Sequence, residues 1–226
     1  MDQRKRIAIY GGTFDPVHLG HLEVARGVSE LFEIAELLFV PAQHAPHKLT
    51  TEVTPALHRY AMLALATQED RQLCVSTFEL EAPNRRYTVD TLEYFESEYG
   101  AFADLFFVMG ADSWAEIATW HEWQRLLTMV NHIVVTRPGH VVSLGTGAPS
   151  WPVEVVDLRG GVPIPPIVNG MKGTVFITDV VQIEISATEI RRAARDNRYD
   201  LLAKLVAPPV AAYIAKYNLY RDSNET

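Results

Sequence analysis

The stretch Ile9-Tyr10-Gly11-Gly12-Thr13-Phe14-Asp15-Pro16-Val17-His18-Leu19-Gly20-His21 decides the fold of this chain. Ile7 to Tyr10 reads as a strand, Gly11-Gly12 as a turn, and a helical apolar period then runs through Leu19, Leu22, Ala25, Val28 and Phe32. Asp15 followed by Pro16 has the make-up of an N-cap and first helical position, so the helix is expected to begin there, with His18 and His21 on one face of its opening turns. Glycines let a ligand approach the backbone, and a helix start offers unpaired N–H groups at the positive end of its dipole. The combination is an anion pocket at Gly11-Gly12, with two imidazoles able to donate hydrogen bonds to a phosphoryl group gaining charge. A Gly-Gly turn or a lone histidine is by itself more often structural; together, at the mouth of the first strand, they favour function. The string lacks both the Gly-x-Gly-x-x-Gly of redox dinucleotide folds and the Gly-Lys-Ser/Thr of P-loops, which indicates a different phosphate chemistry.

Outward from this stretch the alternation continues. Leu37 to Val40, Leu73 to Thr77, Leu105 to Met109 and Ile133 to Thr136 read as strands. Between them lie helical stripes of Leu57, Tyr60, Met62, Leu63 and Ala66, and of Val89, Leu92, Tyr94 and Phe95, with Thr54-Pro55 as cap and first residue of the former. Pro138 to Gly173, rich in Pro and Gly, reads as a surface excursion with one strand at Val153 to Val156. Sheet character returns at Val175 to Ile177 and Val180 to Ile183, before helices at Ala187 to Asp196 and Pro209 to Tyr217 and a short turn near Leu201. This is the pattern of an α/β protein with a parallel sheet covered by helices.

Composition bounds what such a protein can do. The 226 residues are 48% hydrophobic and 21% charged, the balance of a globular enzyme with one core, so a single domain over residues 1–226 is expected. A net charge of −8 gives no long-range attraction for nucleic acid or anionic lipid, and any anionic ligand must be held locally. The basic Arg4 to Arg6 precedes an apolar run too short for a signal peptide, no stretch is long enough to span a bilayer, and the single Cys74 fits a reducing compartment. A cytoplasmic protein is the expectation. Acidic positions such as Glu79, Glu81, Glu93 and Glu96 read as solvated charge. His44 and His47 have a metal-binding spacing, but Ala45-Pro46 between them opposes a helix and no cysteine or carboxylate completes a site, so no metal ligand set is assigned.

A second signal lies near the C-terminus. In Ile185-Ser186-Ala187-Thr188-Glu189-Ile190-Arg191, Ser186 and Glu189 have the spacing of a capping box. Two hydroxyls, a helix N-terminus and an arginine one turn in also make a receptor for a polyphosphate. In an open α/β sheet both helix starts can border one crevice outside the carboxyl ends of the strands.

Together the two stretches resemble the nucleotidyltransferase superfamily, and specifically its bacterial nicotinate-mononucleotide adenylyltransferase branch. Val40-Pro41, Pro46-His47-Lys48, Tyr87-Thr88-Val89-Asp90-Thr91-Leu92, Gly110-Ala111-Asp112-Ser113, Trp120 and Thr136-Arg137-Pro138-Gly139 follow in family order. The resemblance implies a doubly wound, three-layer, Rossmann-like fold with C-terminal helices. It implies transfer of AMP from ATP to nicotinate mononucleotide, releasing pyrophosphate and giving the deamido form of NAD, with no covalent intermediate. His18 and His21 would contact the ATP phosphates and stabilise charge at the α-phosphorus. Ser186, Thr188 and Arg191 would hold the β and γ phosphates, and Arg191 would join the histidines in catalysis. Thr13 and Phe14 would add backbone contacts beside Gly11 and Gly12, and Mg²⁺ would ride mainly on phosphate oxygens and water. For the acceptor, the family pattern places the pyridine ring on Trp120, its carboxylate at Thr88 and the backbone about His121, the mononucleotide phosphate at Lys48 and Arg137, and a ribose hydroxyl at Asp112. Ala187 departs from the second serine of many relatives, and Arg86 stands where a serine is common. Trp114 and Trp123 crowd the segment of Trp120, so each of the three is a core candidate. Another phosphate acceptor, such as nicotinamide mononucleotide, or a non-catalytic nucleotide binder are the alternatives, and a homo-oligomer is compatible with the sequence.

Overall fold

A computed structural model describes residues 4–43, 53–81, 87–136, 153–181 and 183–221. Strand β1 (Lys5–Gly12) buries Ala8 and Tyr10 in one hydrophobic cluster and Ile7 and Ile9 in another, the two-sided burial required of a parallel strand covered on both faces. The same division holds in β2 (Glu36–Pro41), β4 (Ala103–Gly110), β5 (Asn131–Val135) and β7 (Thr174–Thr178). Short edge strands β3 (Leu73–Val75) and β6 (Glu154–Asp157) complete a seven-stranded, all-parallel sheet of order β3-β2-β1-β4-β5-β7-β6.

Helices α1 (Leu19–Leu31), α2 (Ala56–Thr67), α6 (Ala187–Arg195), α7 (Tyr199–Leu205) and α8 (Pro208–Lys216) cover one face, around Phe32, Phe39, Phe106 and Phe176. On the other face, α3 (Thr88–Tyr99), α4 (Ala111–Ala115), a 3₁₀ turn at Ile117–Thr119 and α5 (Trp123–Met129) enclose Leu92, Phe95, Phe107, Leu126 and Leu127. This is the three-layer, doubly wound fold expected. From β1 the chain enters a helix on the first face, and from the adjacent β4 one on the second, so the winding reverses between them. A crevice therefore opens at the carboxyl ends of β1 and β4. Among the described residues, no helix is long and apolar enough to cross a membrane.

Several local expectations are corrected. Val180, Val181 and Ile183 do not form a strand: the Val180 N–H donates to Thr178 Oγ1 at 3.2 Å, ending β7, and the two valines rest on Gly27 of α1. Helix α2 starts one residue later than expected, with Pro55 as its N-cap. Its buried face is Arg59, Met62, Leu63 and Thr67, while Leu57 is 76% exposed, so the apolar stripe read from the sequence is rotated. The expected turn near Leu201 is the two-turn helix α7. Helices α4 and α5 carry no clear apolar period in the sequence, being only five and seven residues long. Within the expected excursion, residues 158–173 are strapped to the sheet: Leu158 is buried, Asn131 Nδ2 donates to the Met171 carbonyl at 2.7 Å, and the Gly170 N–H donates to Asp104 Oδ1 at 2.9 Å. Residues 137–152 lie outside the described residues.

Candidate active site

Every described site position read from the sequence lies at or after the carboxyl end of a strand. Gly11 and Gly12 end β1 and Thr13 to His21 follow it, Thr88 follows β3, Asp112, Trp120 and His121 follow β4, and Ser186, Thr188 and Arg191 follow β7. Lys48 and Arg137 follow β2 and β5 in sequence but, with His44 and His47, lie outside the described residues.

The start of α1 differs from the expectation in an informative way. Asp15 is not the N-cap; its carboxylate is already engaged, accepting from the Tyr220 hydroxyl at 2.8 Å and the Thr54 N–H at 3.3 Å. The helix begins at Leu19 and His18 is the cap, its Nδ1 accepting from the His21 N–H at 3.3 Å, while the His18 N–H donates back to His21 Nδ1 at 3.3 Å. The two histidines thus form a reciprocal capping box of the kind usually made by Ser or Thr with Glu or Gln. Their rings stack at 3.6 Å between centroids with 21° between planes. Because each Nδ1 lone pair accepts a backbone proton, each neutral ring must carry its own proton on Nε2. Helix capping therefore sets the tautomer, and Nε2 is the donor nitrogen of each neutral ring.

The glycines owe their place to packing. Gly11 and Gly12 are not a turn but the last two residues of β1, paired with Val40 and Pro41. A Cβ on Gly12 would stand 2.9 Å from the ring of Phe14, and one on Gly11 3.2 Å from that of Phe107. Phe14, buried and in left-handed backbone conformation (φ 49°), sets its ring edge-on to His21 at 5.0 Å. Gly20 is required for the same reason: its Cβ would stand 3.1 Å from Nδ1 of His18.

Helix α6 brings the second motif to the first. Ser186 is the N-cap, its Oγ accepting from the Glu189 N–H at 3.2 Å as the capping-box spacing predicts. Ser186 and Thr188 are exposed. Arg191 donates from Nη1 to the Asp15 carbonyl at 2.8 Å and from Nη2 to Thr188 Oγ1 at 3.3 Å. Ile185 lies against the space beside Gly20, so the start of α6 stands against the first turn of α1. Two helix N-termini, two imidazoles, two hydroxyls and a guanidinium converge, a donor set suited to an oligophosphate.

The residues expected to receive the acceptor form a neighbouring group. Tyr87, which precedes Thr88 at the start of α3, stacks on His121 at 4.2 Å. Trp120, half-buried, meets Phe107 edge-on at 6.5 Å, and Phe107 in turn covers Gly11. Trp114 is core, being 4% exposed; Trp123 packs on the same cluster, and Asp112 is exposed in the first turn of α4.

Two residues of this region escape sequence reading. Arg59 is 1% exposed and donates to three carbonyls: Thr54 from Nε at 2.9 Å, Thr13 from Nη1 at 2.8 Å and Gln43 from Nη2 at 3.5 Å. Burial lowers its pKa, and the nearby Asp15 charge opposes that shift. Tyr220 sits over Asp15; burial, with the Asp15 charge second, raises its pKa and keeps the hydroxyl a donor. The available signal was a charged residue in the apolar stripe of α2; for Tyr220 there was none.

Comparison with known proteins places the chain in a family and supports its fold. The profile of the cytidylyltransferase-like family matches residues 9–193. The probable nicotinate-nucleotide adenylyltransferase of Thermoanaerobacter sp. (strain X514) is 36% identical over 225 residues, covering 100% of this chain and 99% of that protein. That of Thermus thermophilus is 37% identical over 216 residues, covering 96% and 100%. Among solved structures, the Plasmodium falciparum nicotinic acid mononucleotide adenylyltransferase complexed with NaAD shares the fold with a TM-score of 0.70, at 22% identity over 96% of this chain and 97% of that one. With full-length similarity of this order and the family profile spanning both motifs, the chain belongs to the nicotinate-nucleotide adenylyltransferases of the cytidylyltransferase-like family.

Proposed function

We infer that the protein transfers AMP from ATP to nicotinate mononucleotide, and the observation that carries this reading is the stacked pair His18–His21 facing the start of α6. A phosphate oxygen of the mononucleotide attacks the α-phosphorus, a new P–O bond forms, and the bond to the β-phosphate breaks to release pyrophosphate. The Nε2–H groups of His18 and His21 donate to oxygens of the ATP phosphates as charge builds at the α-phosphorus, and Ser186, Thr188 and Arg191 hold the departing β and γ phosphates. The chain's contribution is positioning and preorganised charge stabilisation, with no covalent step. Gly11 to Phe14 close the pocket beneath the nucleotide. Trp120 offers its face to the pyridine ring, Thr88 and the backbone about His121 receive the carboxylate, Asp112 a ribose hydroxyl, and Lys48 and Arg137 the mononucleotide phosphate.

Mg²⁺ fits this site as an ion carried by the substrate. The described residues contain no group of three histidine, cysteine or acidic side chains able to cage a metal, and the Asp15 carboxylate is turned to Tyr220 and Thr54. Bound to phosphate oxygens and water, Mg²⁺ would neutralise charge on the leaving pyrophosphate. We take residues 1–226 as one nucleotidyltransferase domain acting in the cytoplasm, where the free thiol of Cys74 stays reduced.

The test is pyrophosphate release by the purified protein with Mg²⁺ and ATP, with nicotinate mononucleotide, nicotinamide mononucleotide and phosphopantetheine compared at equal concentration. Release with the first acceptor alone is expected. Equal release with the first two would widen the specificity, and silence with all three would refute the reading.

A further inference from the structure

The loop joining β1 to α1 makes no regular secondary structure, yet it ends in the residue that caps the helix and fixes the imidazole pair. Two of its carbonyls, those of Thr13 and Asp15, are each taken by an arginine, Arg59 and Arg191. Only Arg191 faces the proposed phosphates. Arg59 approaches from inside the protein and joins Thr13 to Thr54 through one planar guanidinium. Thr54 in turn donates its N–H to the carboxylate of Asp15, whose other oxygen receives the Tyr220 hydroxyl. Arg59, Thr54, Asp15 and Tyr220 therefore form a closed polar unit behind the loop, drawn from α2, from the loop itself and from the segment after α8. Phe14, next to Asp15, and Tyr220 both hold left-handed backbone, at φ 49° and 67°. Non-glycine residues keep such conformations only where surrounding contacts impose them.

A fold that needed only to fill this space would use apolar side chains, since a buried cation and carboxylate are costly to desolvate and add little net stability. What an arginine bound to two carbonyls and a tyrosine bound to a carboxylate add is direction. We propose that Arg59 and Tyr220 are positioning residues for adenylyl transfer, acting through the carbonyls of Thr13 and Asp15 to hold His18 and Arg191 in register with each other. The assignment rests on the reading of His18 and Arg191 given above. Arg59 fixes the near end of the loop and so the approach to His18. Tyr220 fixes the Asp15 residue whose carbonyl orients the Arg191 guanidinium.

The experiment uses the full chain and two conservative variants, Arg59→Lys and Tyr220→Phe. Lysine keeps the charge beside Asp15 but cannot bridge two carbonyls in one plane, and phenylalanine keeps the ring but loses the donor. Steady-state pyrophosphate release from ATP and nicotinate mononucleotide is measured well below the melting temperature of each variant. Both should show kcat lowered by roughly 10- to 100-fold, the scale of a small misplacement of catalytic groups. KM for ATP should rise and KM for nicotinate mononucleotide should stay within about twofold. A second readout needs no turnover: long-range ¹H–¹⁵N spectra of the imidazoles should report the Nε2–H tautomer for His18 and His21 in the parent protein and a mixture of tautomers in Arg59→Lys. Parent-like kcat and KM in both variants, or a loss of activity that merely follows the unfolded fraction, would overturn the proposal. Unchanged imidazole spectra in Arg59→Lys would overturn its arm through His18. If the parent protein itself transfers no AMP, the functional reading fails, and the spectra still decide whether Arg59 positions the histidine pair.

Discussion

Replacing His132 of β5 by glutamine should flatten the acid dependence of stability by an amount that follows from its surroundings. The ring has no exposed surface, and its Nε2 lies 3.2 Å from the Leu126 carbonyl, to which it donates. Its Nδ1 has no hydrogen-bond partner among the described residues, and Phe107 meets the ring edge-on at 6.1 Å. A second proton would add a charge in a fully buried site, and burial, only partly opposed by the backbone of Leu126 and Leu127, holds the pKa down from 6.5 to about 4. The unfolded chain, with an ordinary imidazole, takes up this proton first as pH falls. His132 therefore costs the fold nothing above about pH 7, destabilises it progressively below 6.5, and adds no further penalty below about 4. The full penalty is about 3 kcal/mol and the part expressed at pH 5 about 2 kcal/mol. Glutamine can still donate to the Leu126 carbonyl but does not titrate. Urea unfolding at pH 7.5 and pH 5.0 gives the change in stability over that interval for each protein, and other titrating groups cancel in the comparison. The parent should lose about 2 kcal/mol more than His132→Gln. Equal losses, within about 0.5 kcal/mol, would refute the account of a neutral imidazole locked in the core.

Other predictions bear on the site. His18→Asn should keep the α1 cap, asparagine being among the best N-caps, and so preserve the melting temperature, while pyrophosphate release falls by roughly 10² to 10³-fold. Retained turnover would remove the imidazole from the mechanism. Gly20→Ala places a methyl 3.1 Å from His18 Nδ1 and should lower kcat by roughly 10-fold or more with an unchanged far-ultraviolet circular dichroism spectrum. Trp120→Ala should raise KM for nicotinate mononucleotide far more than KM for ATP, and an effect confined to ATP would move the acceptor pocket elsewhere.

Strands with near-continuous apolar runs were readable because a doubly covered parallel sheet imposes them, and β1, β2, β4, β5 and β7 all follow that rule. Val180, Val181 and Ile183 have the same character and are not in a strand, because Thr178 ends the ladder with its own side chain and Gly27 supplies a surface for the valines. Periodicity places α2 but not its rotation. An arginine cannot be assigned to the core until Thr13, Thr54 and Gln43 are known to turn their carbonyls toward it. The strand-to-helix stretch after β1 and the capped start of α6 were recognisable from residue types at fixed spacing, whereas the cap at His18 was not. A histidine rarely caps a helix, and Asp15 looks the better candidate until Tyr220, distant in sequence, is seen to occupy it. Local signals thus report elements and motifs, and the contacts that orient the site come from parts of the chain far apart.

That separation bears on how the protein is made. Ribosomes extend chains from the N-terminal end, and the Asp15 hydroxyl partner comes 205 residues later, about 10 to 40 s at ordinary rates of synthesis. Arg191, the other clasp on Asp15, follows it by 176 residues. The β1–α1 loop consequently emerges long before the residues that clasp it, and acquires its final shape only after them. Strands β1 and β2 can pair early, but a nascent chain halted before α6 carries the histidines without the residues that aim them. Catalytic competence then arrives only once Arg191 and Tyr220 have emerged rather than in proportion to length, and products terminated before them should be silent instead of partly active.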